Sequence, residues 1–159
     1  APARLAAMTV HIVKLCVGAD SIEQLATFQA NRRARAEARG EPGENIHRTR
    51  NRPRRDTEVL DGGSIYWIIK GFIRVRQPIV RLDELHDDEE AKRCGLVLGP
   101  ELVRTELHAR RPHQGWRYLE SKDAAPDLPE HLQAGHWDPA AHDGPPPEMA
   151  AELRALGLL

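Results

Sequence analysis

The apolar residues of this chain fall into short dense runs separated by Gly, Pro and charge, and the period of each run predicts its element. Thr9-Val-His-Ile-Val-Lys-Leu-Cys-Val17 is rich in β-branched residues and stops at Gly18, the pattern of a buried strand. Ser21 and Gln24 then form a capping-box pair, in which each side chain satisfies a backbone N–H at a helix start. Ile22, Leu25, Ala26 and Phe28 give that helix an apolar face, and Gly40 followed by Pro42-Gly43 ends it. Ile46 to Arg50 reads as a short extended segment, Asp56 to Leu60 as one helical turn, and Asp61-Gly-Gly63 as a tight turn whose glycines can take positive φ.

Ser64 to Lys70 is apolar on both faces and reads as a central strand. After Gly71, Phe72 to Val80 alternates, so Ile73, Val75 and Ile79 are expected to face inward and Arg74 and Arg76 outward. Pro78 marks an edge or a bulge. The acidic stretch Leu82 to Glu90 reads as a loop. Cys94 to Leu98 and Glu101 to Leu107 read as a hairpin joined by Gly99-Pro100. Strand, helix, then several strands is an α+β order. The expected architecture is a small, strongly bent antiparallel or mixed sheet, or a partly closed barrel, with one long N-terminal helix. Residues 8–125 form the expected globular domain. Residues 126–159 form an acidic, Pro-rich tail with a short helix over 147–156.

Charge sharpens this picture only through its distribution. The formal net charge is −1, yet Ile46 to Arg81 holds nine Lys or Arg against three Asp or Glu. From Tyr118 onward there are two basic residues and eight acidic ones, so a basic face is followed by an acidic tail. Cys16 and Cys94 are two cysteines in apolar runs, expected as free thiols in a reducing compartment. Ala1 to Ala7 lacks the apolar core of a signal peptide, and Met8 is a plausible start. No run approaches the roughly 20 apolar residues of a membrane-spanning helix, and the expected location is the cytoplasm.

Arg48, Arg50, Arg52 and Arg54 alternate, so an extended backbone would project them to one side as a comb, with Arg55 beside it. Guanidinium forks suit a phosphate backbone. Trp116 and Tyr118 flank Arg117 and add stacking surface, the combination that single-stranded nucleic acid calls for. Trp67, between Ile-rich neighbours, reads as core, whereas Trp116 fits either role. The expected binding surface is His47, Arg48, Arg50, Arg55, Arg74, Arg76, Trp116, Arg117 and Tyr118. No Cys-x-x-Cys, His-Glu-x-x-His, Walker or Rossmann pattern is present, so neither a metal nor a cofactor is expected. His47 beside Arg50, with Asp61 as orienter, is the one acid–base constellation available.

The blocks His11-Ile-Val-Lys-Leu-Cys-Val-Gly18, Ile46-His-Arg-Thr-Arg50, Leu60 to Gly71, Ile73-Arg-Val-Arg-Gln77 and Gln114-Gly-Trp-Arg-Tyr-Leu119 resemble an uncharacterised bacterial family that carries only a domain-of-unknown-function label. The resemblance covers Thr9 to about Leu119, leaves the tail after Asp127 outside, and implies no activity. A second likeness, to the PUA-like group with its ASCH and EVE domains, rests on Gly63 to Gln77. It implies a small bent barrel that binds RNA or modified bases. The Lys and Glu of the ASCH pattern are replaced here by Ile73 and Arg76. The leading expectation is a module for RNA or another single strand. A small phosphate- or nucleotide-processing enzyme built on His47, Arg50 and Arg76, and a protein-interaction domain, are the alternatives. Nothing in the sequence sets the oligomeric state.

Overall fold

The computed structural model describes residues 8–133, 151, 152 and 154–157. The chain runs β1 (Val10–Leu15), α1 (Ile22–Ala38), β2 (Asn45–Thr49), α2 (Asp56–Val59), β3 (Ser64–Ile69), β4 (Phe72–His86), β5 (Lys92–Leu98), β6 (Val103–Ala109) and β7 (Trp116–Glu120). The fold is α+β, with one open, mixed seven-stranded sheet in the order β2-β5-β4-β3-β1-β7 and β6 also paired to β4. Only β1 and β3 run parallel; every other pair is antiparallel. The sheet does not close into a barrel, and no described helix is long and apolar enough to cross a membrane.

Local chemistry explains the early elements. Ser21 Oγ accepts the Gln24 N–H at 3.1 Å, and Gln24 Oε1 accepts the Asp20 N–H at 2.7 Å, one residue before the cap itself. At the other end Glu41 N–H reaches back to the Ala36 carbonyl and Gly40 takes φ +79°, a Schellman-type stop. Between β3 and β4 the two-residue connection Lys70-Gly71 has φ of 50° and 80°, as a type I′ hairpin requires.

Strand β4 is longer than its apolar pattern. The acidic segment expected as a loop continues β4 to His86, because β5 pairs with it throughout, Leu82 opposite Leu96 and Leu85 opposite Arg93. Arg81–Asp83 and Lys92–Glu84 contacts at 2.7 and 3.3 Å, one on each face of the strand, pair its charges. The true loop is only Asp87 to Ala91, where Asp87 Oδ1 accepts two backbone N–H groups. β5 and β6 are not a hairpin. Both run back along β4, β6 on its first half, Phe72 to Arg76, and β5 on its second, Ile79 to His86, with an irregularity between Ile79 and Arg81 inside the β5 ladder.

Two core clusters cover the two faces of the sheet. Ile12, Ile65, Trp67, Ile69, Val75 and Ile79 lie on the α1 side, with Trp116 and Tyr118 packed on their edge. Val13, Tyr66, Ile68, Ile73 and Leu119 lie on the other, covered in part by Ala124 and Ala125. Ile73 and Val75, expected on one face, fall on opposite faces because register shifts interrupt the ladders between them. Beyond residue 125 the chain stays in contact with β6: Thr105 bridges Asp127, Gln133 Nε2 donates to the Arg104 carbonyl, and Arg154 donates to the Leu107 carbonyl. Of the terminal helix expected over 147–156, residues 151, 152, 154 and 155 are helical, Leu156 is already in a turn, and the others lie outside the described residues.

Candidate functional site

The basic arm leaves β2 at Thr49 and is fastened to β7. Trp116 Nε1 donates to the Asn51 carbonyl at 3.0 Å, and the Tyr118 hydroxyl accepts the Arg55 N–H at 3.0 Å. Arg55 Nε and Nη2 reach both oxygens of Glu58 at 2.7 and 2.9 Å, and Nη1 reaches Glu120 at 2.7 Å. These carboxylates, Glu58 first, hold the guanidinium well above its ordinary pKa. Arg55 is therefore an anchor, 5.2 Å from the Tyr118 ring centroid. With the arm fixed, Arg48, Arg50, Arg52 and Arg54 line one groove of about 760 Å³ together with Lys14, Gln114, Trp116 and Tyr118. Arg52 is drawn to Asp56 at 3.1 Å. Arg50 and Arg54 have no ion-pair partner among the described residues. Trp116 and Tyr118 meet edge to face, centroids 4.9 Å apart.

The other expected site residues lie elsewhere. Arg76 is paired with Tyr66 across β3 and β4, on the face away from α1. Its guanidinium grips Asp127 at 2.7 and 2.8 Å and donates to Ser64 Oγ at 3.0 Å. Asp127 raises the Arg76 pKa, and Arg76 lowers that of Asp127. Arg74 donates to the Ile69 carbonyl at 2.7 Å and sits 5.4 Å from the Phe72 ring centroid. Arg117 is exposed and pairs with Val13, whose side chain belongs to the face opposite Trp116 and Tyr118. His47, Arg50 and Arg76 do not converge, so the phosphate-processing arrangement that needed them together is not formed.

His47 instead points under α1. Together with Lys14, Trp67 and Gln29 it lines a cavity of about 550 Å³ between the helix and the sheet. Its ring meets Trp67 edge to face at 5.1 Å, and its Nε2 is buried without a hydrogen-bond partner. Burial, then the nearby Lys14 and Arg32 charges, lowers its pKa to about 4, so the ring is neutral at pH 7. Asp61, the orienter expected from sequence, does not line this cavity. Behind it lies a polar network that the apolar pattern concealed. Gln29 and Gln77 bond each other amide to amide at 2.8 Å both ways, and Gln77 also takes the Trp67 indole N–H at 3.3 Å and donates to the Gly99 carbonyl at 2.8 Å. A glutamine at a core position of both α1 and β4 was the available signal.

A serine–histidine pair on the opposite face carries no nucleophile. His11 Nδ1 accepts the Ser64 N–H at 3.0 Å, which leaves its proton on Nε2, facing Ser121 Oγ at 3.4 Å. Ser121 spends its own proton on the Thr9 carbonyl at 2.8 Å. The imidazole thus donates toward the hydroxyl and is not its base. Cys16 is equally quiet, its thiol pushed up to about 11 by burial. Among the described residues no group of three or more His, Cys, Asp or Glu is placed to hold a metal ion.

No curated protein and no solved structure matches this chain. The likeness to PUA-like domains therefore gains no support from known folds, and the open sheet departs from its barrel. A family model does match, and it extends through the tail that the sequence resemblance had left out. Over residues 12–159 the chain belongs to the family described as a protein of unknown function, DUF1489.

Proposed function

We propose that this domain binds single-stranded nucleic acid in the groove between the basic arm and β7. One observation carries the reading: Arg48, Arg50, Arg52 and Arg54 line the same groove as Trp116 and Tyr118. Unpaired guanidinium groups on Arg50 and Arg54 offer forked donors to phosphate oxygens. The half-buried indole and phenol give a base somewhere to stack, which a duplex with its bases already stacked does not use. The described tail residues contact β6, and none of them lines this groove.

Fluorescence anisotropy of short labelled RNA, single-stranded DNA and duplex DNA tests it at low salt. The single strands bind more tightly than the duplex, and affinity falls with salt at a log–log slope of about −0.7 per phosphate contacted. Absence of binding to every strand at low salt overturns the proposal.

A further inference from the structure

We infer that the cavity beneath α1 is a second binding site, sharing Lys14 alone with the groove, for a small organic anion with an apolar body: a carboxylate or a phosphate monoester. The cavity exists because α1 stands off the sheet. Only Leu25 and Gln29 of its 17 residues are buried, and Arg33 props its second half on the Asn45 side chain at 2.8 Å. The resulting 550 Å³ falls in the range of small-molecule pockets.

Three features of the walls select the ligand. Apolar side chains meet water at the mouth: Val17, Phe28 and Ile46 are 81%, 41% and 38% exposed, above a floor that includes Trp67. An apolar body would remove that surface from water. The charge left over is positive. Glu41 is neutralised by Arg39 and Glu44 by Arg81, whereas Lys14, Arg32 and Arg35 have no ion-pair partner among the described residues. Lastly, His47 Nε2 is a buried polar atom without a partner, an arrangement that folded proteins rarely leave uncompensated. A ligand oxygen beside it would supply the missing hydrogen bond. An inorganic anion satisfies only the cations, and a neutral alkane only the apolar rim.

The full chain, ¹⁵N-labelled, is titrated with decanoate, naphthyl phosphate, decanol and inorganic phosphate, following the Trp67 indole and His47 ring signals by NMR. Decanoate or naphthyl phosphate is expected to shift both signals saturably, and which of them binds more tightly separates a carboxylate ligand from a phosphate one. Decanol and inorganic phosphate are expected to bind at least about tenfold more weakly. Arg32→Glu and Phe28→Ser, both at exposed helix positions, each weaken the anion about tenfold. Neither leaves the groove without its arginines, so nucleic-acid affinity is retained. Failure of both organic anions to shift the two signals, or equal affinity for decanol, overturns the inference. So does equal affinity for inorganic phosphate. Weakened nucleic-acid binding in Arg50→Ala with the anion bound as before distinguishes the two sites.

Discussion

Gln29 of α1 and Gln77 of β4, 48 residues apart, bind each other through two reciprocal amide hydrogen bonds of 2.8 Å in the core. Gln77 is the hub, because it also satisfies the Trp67 indole and the Gly99 carbonyl. Gln29→Leu strands one N–H and is expected to cost about 1–3 kcal/mol, whereas Gln77→Leu strands four groups, the Gln29 N–H and amide oxygen, the Trp67 N–H and the Gly99 carbonyl, and costs at least about 1 kcal/mol more. Urea denaturation of both variants decides this. Equal or reversed losses mean that the network is not organised around Gln77.

His47 sets a pH window for stability. Its folded-state pKa of about 4 lies below the ordinary 6.5, so the unfolded chain binds the proton more readily. Its contribution is complete above pH 6.5 and is lost as pH falls from 6.5 to about 4, by roughly 3 kcal/mol in all. Below pH 4 this loss levels off. His11, also lowered by burial, acts in the same direction. Unfolding free energy measured across the window should fall less steeply for His47→Gln than for the parent chain; parallel curves would sink the assignment.

The Gly62-Gly63 pair divides its labour. Gly62 takes φ +83° with open space around it, so Gly62→Ala costs about 1–2 kcal/mol of backbone strain. Gly63 has no positive φ. A Cβ there would meet the Val59 and Val10 carbonyl oxygens at 2.2 and 2.6 Å. Because both are backbone atoms, Gly63→Ala is expected to cost about 3 kcal/mol or more. Thermal melts of the two alanine variants compare them, and a milder Gly63→Ala would contradict the tight β1–α2 approach.

Binding to a single strand should respect the two faces of the sheet. Trp116→Ala is expected to weaken it by about 1–3 kcal/mol, the scale of one stacked base. Arg50→Ala weakens it and lowers the salt slope by about 0.7. Arg117→Ala and Arg76→Ala, on the far face, leave both quantities unchanged. An effect of Arg117→Ala equal to that of Arg50→Ala would move the interface off the groove.

Much of this molecule is written locally. Ser21, Gln24 and Gly40 bound α1 through hydrogen bonds spanning only a few residues, and the unbroken run Ser64–Ile69 could only be a central strand, buried on both faces. The α+β class and the core role of Trp67 follow from the same short-range periods. Tertiary structure decided where those elements face and what they enclose. Irregular registers in β4 put Ile73 and Val75 on opposite faces, and Arg76 lies on the face away from the arm, a parity that sequence alternation cannot carry across an irregular ladder. The acidic continuation of β4 became strand because β5 was there to pair with it. His47 lost its solvent to a helix that precedes it in the chain but closes over it only in space. Periodicity records which side chains share a face; burial and charge depend on what packs against that face, and only the folded chain sets that.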